Sequence, residues 1–265
     1  MKNNFRLLFL LSLFIVSSCE SDDEEVTLSG ENNITLEFDN SISGDDLLLG
    51  STTYSNGNNE TLSIYRFNYI VSNFVLIDEN GEEFTYPKDE SYFVISEENN
   101  LTEVVLENIP AGNYTAIRFG VGVDQEKYQQ GAEGQGDFLE IAEQNEMMWS
   151  WQAGYKFLNF EGTFTSESHT EATEFKIHMG SHGSSLDNYK EVEVNFPSDA
   201  VVSATLSPLV HFEVDAGTIL DGSHKIHLSE APVVMIDEVK SPQIAENALE
   251  MFSVHHIHNG EGGHH

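Results

Sequence analysis

The chain has 265 residues, with 45 Asp plus Glu against 11 Lys plus Arg and a formal net charge of −34. That sign is wrong for a nucleic-acid partner. A single cysteine, Cys19, leaves no intramolecular disulfide and no multi-thiolate metal site, while 39% hydrophobic content and 17 Phe suffice for a substantial core.

In chain order, Lys2 and Arg6, an apolar run from Leu7 to Val16, and Val16-Ser17-Ser18-Cys19 resemble a bacterial lipoprotein signal with its lipobox. The run is far shorter than the roughly 20 residues that cross a bilayer. Residues 1–18 are therefore expected to be removed, and Cys19 to carry the lipid that ties the mature protein to the cell envelope, at an outer-membrane, cell-surface or periplasmic face. Glu20-Ser21-Asp22-Asp23-Glu24-Glu25 carries no apolar side chain, so 19–32 is expected to be a solvated tether.

Beyond the tether, period-two alternation dominates the chain. Ile34, Leu36 and Phe38 share one face of a strand, and Leu62, Ile64, Phe67, Tyr69 and Val71 predict a longer, bulged strand. Val75 to Ile77 leads to Asn80-Gly81, read as a tight hairpin with both residues at positive φ. Further strands are expected over 92–95, 104–106, 114–121, 175–179, 192–196, 201–206, 210–214 and 225–228. Short helices are expected within 137–145 and over 243–252, the latter with Ser241 as cap and Pro242 in its first turn. The expected fold is all-β, a sandwich or barrel of antiparallel sheets, in one domain over 33–258 with a flexible 259–265 tail rich in His and Gly after it.

Two groups of residues could carry chemistry. Met147-Met148-Trp149-Ser150-Trp151 to Phe157 holds both tryptophans of the chain, either as a core plug or beside a metal. Eleven histidines all lie at or after position 169. His178 closes a predicted strand and His182 comes after a glycine turn, while His256 and His258 share a face if extended. Imidazole with thioether and no thiolate suits copper or zinc, and Met147, Met148 and Met179 favour Cu(I). No Gly-x-Ser-x-Gly elbow, His-Glu-x-x-His motif or free nucleophilic cysteine is present, so no catalytic activity is expected.

Taken in order, Ile34 to Asn40, Phe67 to Phe74, Ile109-Pro110-Ala111-Gly112-Asn113-Tyr114, Phe119 to Asp124, Met148 to Tyr155, Phe175 to Gly180 and Ala245 to Phe252 resemble the MbnP-type, methanobactin-associated copper-binding lipoproteins, in their Bacteroidetes branch. The resemblance implies an extracytoplasmic β-rich copper binder for acquisition, storage or delivery. It also implies a tryptophan, Trp149 or Trp151, oxidised to kynurenine by a partner di-haem, MauG-like enzyme. His178, His256 and His258 are the ligands it favours, with His182 nearby. Related members carry a histidine where this chain has Met148, so the ligand set differs there. The alternative is a surface glycan-binding lipoprotein with Trp149, Trp151 and Tyr155 as a sugar-stacking platform.

Overall fold

A computed structural model describes residues 28–150 and 154–260. The expected signal, Cys19, Trp151 and the final histidines His264 and His265 lie outside the described residues. The strands are β1 (Glu31–Ile42), β2 (Asp45–Asp46), β3 (Tyr54–Ser55), β4 (Thr61–Asp78), β5 (Glu83–Thr85), β6 (Tyr92–Ser96), β7 (Glu103–Pro110), β8 (Gly112–Val121), β9 (Leu158–Thr165), β10 (Thr173–Met179), β11 (Lys190–Val202), β12 (Pro208–Asp215), β13 (Val233–Val234) and β14 (Phe252–Asn259). Four short helices, α1 (Gln125–Gln129), α2 (Phe138–Gln144), α3 (Thr218–Asp221) and α4 (Lys240–Leu249), complete the described elements along with two 3-10 turns.

The strands form two sheets. One runs β14-β12-β1-β2 with β7 also on β1, and the other runs β11-β8-β4-β9-β10-β13 with β3, β5 and β6 on β4. Alternation sends Phe38, Phe212 and Phe252 from the first sheet against Tyr69 and Phe119 of the second. Phe38 stacks on Phe212 at 5.0 Å between ring centroids, and Phe119 meets Phe252 edge-on at 5.0 Å. This packing makes a β-sandwich, as the alternation predicts. The sheets are not purely antiparallel, because β1 pairs with β12 and β10 with β13 in parallel. Parallel partners need long crossovers, so such pairing leaves no local turn signal.

Several local expectations change. Only Gly81 of the Asn80-Gly81 pair has positive φ, at 79°. Asp78 Oδ1 instead accepts hydrogen bonds from the Asn80 and Glu82 backbone N–H groups, so an Asx turn shapes the loop. Residues 225–228 form no named strand: Ile226 and Leu228 are buried, but the chain turns there, with Glu230 N–H donating to the His227 carbonyl. Helix α4 begins at Lys240, ahead of the expected start, because Asp237 Oδ1 accepts from the Val239 and Lys240 N–H groups; Ser241 lies inside the helix and not at its cap. Strand β9 had no sequence expectation, since Asn159, Glu161 and Gly162 interrupt its apolar pattern.

Candidate metal centre

Strand β10 turns Phe175, Ile177 and Met179 into the core and His178 to the opposite face. That outer face of the larger sheet is covered by Glu146, Trp149 and Lys156, from the segment that follows α2, so His178 is buried. Its Nε2 lies 2.6 Å from Glu161 Oε1, a residue of the neighbouring β9. Burial pulls the His178 pKa below its usual range despite the facing carboxylate. Burial alone would raise Glu161, but the hydrogen bond from His178 and the charge of Arg66 bring it below the ordinary glutamate value. With Glu161 ionised and His178 neutral, Nε2 carries the proton and donates, which leaves the Nδ1 lone pair as the ring's available ligand.

The cover over this face is pinned by charge and amide contacts. Arg66 bridges Glu98 at 3.1 Å, Glu146 at 2.8 Å and Glu161 at 3.5 Å. The Glu146 carbonyl accepts from Lys156 Nζ at 2.9 Å and from Asn159 Nδ2 at 3.3 Å, while Asn68 Nδ2 donates to the Asn145 carbonyl at 3.1 Å. Beyond this anchor Trp149 N–H donates to the Gly154 carbonyl and Lys156 N–H to that of Met147, which holds 147–149 against 154–156. Gly180 lets Tyr155 approach: a Cβ there would stand 2.3 Å from the Tyr155 carbonyl oxygen.

Trp149, 5% exposed, is held against two imidazoles. Its ring system lies 5.9 Å from His178 and 5.2 Å from His182 between centroids. The loop bearing His182 is tied back by Asn188, whose Nδ2 donates to the Gly180 carbonyl at 2.8 Å, and by the His182 N–H to the Leu186 carbonyl at 2.8 Å. Burial also lowers the His182 pKa, against a hydrogen bond with the Met235 backbone. The glycine turn thus folds back as the spacing suggests, with the indole beside both histidines.

Two imidazoles kept neutral by burial, one backed by a carboxylate, form a donor set that fits copper. Across from His178 in the ladder, Asn159 has a buried Oδ1 with no hydrogen-bond partner. An intact indole offers only an N–H donor and no lone pair for a metal. Met147 and Met179 belong to the apolar core, and Met148 lines a cavity of about 360 Å³ with Leu139 and Tyr155, so the thioethers do not supply the expected soft ligands on the His178 face.

His256 and His258 are not part of this pocket, contrary to expectation. They lie on β14 of the smaller sheet, beside His211 of β12, on the face turned away from Val210, Phe212 and Val214. The sandwich, whose sheets pack about 10 Å apart, stands between them and His178. Sequence reading passed over His211, whose outward place in β12 was visible only as alternation with Val210 and Phe212, and Glu161, which sat in an unrecognised strand. Of the three residues of the sugar-stacking alternative, Trp149 and Tyr155 are both buried, and Trp151 lies outside the described residues.

The MbnP family model matches residues 31–236. Among solved structures, MbnP from Methylosinus trichosporium is similar, at 15% identity and a TM-score of 0.45, over 77% of this chain and 81% of that one. No curated protein matches the chain.

Proposed function

Because the chain belongs to the MbnP family, a family linked to copper, we propose that it is an extracytoplasmic, lipid-anchored protein that binds copper for acquisition, storage or delivery and catalyses no reaction of its own. The observation that carries this reading is the buried Trp149 indole held against His178 and His182, with Glu161 behind His178. In this reading His178 and His182 hold the ion. Trp149 becomes a third ligand once a partner di-haem, MauG-like enzyme has converted it to kynurenine, hydrogen peroxide being reduced to water as the indole C2–C3 bond is cleaved and the C2 carbon leaving as formate on hydrolysis; the carbonyl and aniline nitrogen are donors that the indole lacks. Imidazole ligands leave the oxidation state to the modified residue, and Cu(I) remains the proposed state. Cys19 is the proposed point of lipid attachment.

Glu161 orients His178 and raises its basicity as a ligand. The Arg66 ion pairs and the Lys156 and Asn159 hydrogen bonds hold the cover closed, which keeps water from the ion and fixes the approach of Trp149.

Copper analysis with intact-mass measurement of the mature protein, produced with and without its di-haem partner, tests this reading. After a chelator wash that strips exchangeable ions, copper should be retained at one ion per chain, with the mass of a kynurenine-containing protein, only when the partner is present. His178→Ala should abolish retention, and Glu161→Gln should weaken it about 10- to 100-fold. Undiminished copper in His178→Ala would remove the proposal.

A further inference from the structure

The outer face of the smaller sheet carries a second constellation. Strand pairing sets Glu37 of β1 beside His211 of β12, and His211 beside His256 of β14, in one row across three adjacent strands. The β12–β14 ladder shifts register between His211 and Phe212, and His255 is the extra residue. That bulge changes the parity of β14: Phe252 faces the core, whereas His256 and His258 turn outward to join His211. Without the extra residue, positions 256 and 258 would point with Phe252 toward the core.

One ligand atom from each of His211, His256 and His258 falls within 4.8 Å of the other two. His256 Nε2 and His258 Nε2 are 3.1 Å apart. Two nitrogens on one ion at 2.0–2.1 Å and a tetrahedral angle stand about 3.3 to 3.4 Å apart, so this pair needs to open by only a few tenths of an ångström. The His211 and His256 rings are stacked, 4.1 Å between centroids and 19° between planes.

In two of the three histidines the remaining nitrogen is occupied in the way a metal-bound imidazole requires. His211 Nδ1 lies 2.5 Å from Glu37 Oε2, and His256 Nδ1 lies 2.9 Å from His255 Nδ1. Both contacts leave Nε2 as the coordinating atom and fix the ring. Partial exposure of the three histidines leaves a fourth position open to solvent. His256 and His258 lie beyond the 31–236 span of the family match.

We propose that His211, His256 and His258 form a second, surface metal site for an exchangeable divalent ion of the first transition row, such as Zn2+ or Cu2+, with Glu37 as the positioning carboxylate for His211. Three imidazoles with no thiolate and no thioether select such ions over Ca2+ and Mg2+. The site is independent of Trp149 and of any change to it.

Zn2+ alone, titrated by calorimetry into the full mature chain made without the di-haem partner or an affinity tag, tests the proposal. One ion per chain should bind at this site. His256→Ala and, separately, the exposed His258→Ala should each weaken binding by more than the 10- to 100-fold expected of Glu37→Gln. His178→Ala and removal of residues 261–265, which include His264 and His265, should leave it in place. Binding that survives both His256→Ala and His258→Ala, or that disappears with the 261–265 segment, would overturn the assignment.

Discussion

His178 is the residue through which burial, charge and metal chemistry meet. Its buried ring has a depressed pKa, and an unfolded histidine titrates near about 6.5. Below that value the unfolded chain takes up a proton that the folded chain resists, so folding free energy is fully present above it. This contribution is lost as pH falls through the folded value. Denaturant unfolding of the metal-free protein should therefore show a stability decline below about pH 6.5 that is shallower in His178→Gln. Superimposable pH profiles would contradict the assignment of a neutral, buried His178. Trp149 and His178 were visible as candidates because tryptophan is scarce and His178 closes a clear apolar alternation. Glu161 was not, since a lone acid amid Phe160, Gly162 and Thr163 carries no mark of the histidine it will meet on the next strand.

At the level of elements, the segment that covers the buried pocket is secured where it leaves the sheet. Asp124 caps α1 by accepting from the Lys127 N–H, and it also accepts from Tyr92 Oη at 2.6 Å, Asn73 Nδ2 at 2.9 Å and Lys88 Nζ at 3.0 Å. Burial works against its ionisation, but these donors prevail and bring its pKa to about 2. Its stabilisation is present above the ordinary aspartate value of about 3.9 and is lost as pH falls toward the folded value. Asp124→Ala should cost about 2 to 3 kcal/mol in urea unfolding at neutral pH, combining a lost cap with buried donors left without an acceptor. A loss within about 0.5 kcal/mol, typical of an ordinary surface change, would contradict this role. Strands with unbroken alternation, such as β1 and β12, were legible from the chain alone. The β14 bulge and the parallel β1–β12 pairing were not, because both depend on which distant strand lies alongside.

Across the described residues, the sandwich keeps two groups of histidines apart on its two outer faces. The larger sheet bears His178 under a cover that buries Trp149, and the smaller sheet bears His211, His256 and His258 near solvent. The excess of carboxylates, at −34 formal charge, raises the local cation concentration around both faces without selecting an ion. Selection falls to the imidazoles. The expectation of one converging set was reasonable from residue types, but numbering carries no information on which sheet a strand joins. The most direct measurement is an anomalous difference map at the copper edge from crystals of the protein matured with its di-haem partner and loaded with one equivalent of Cu(I). The account predicts the strongest peak beside residue 149, within bonding distance of His178 and His182. A map with copper only at His211, His256 and His258, or with none near residue 149, would contradict it.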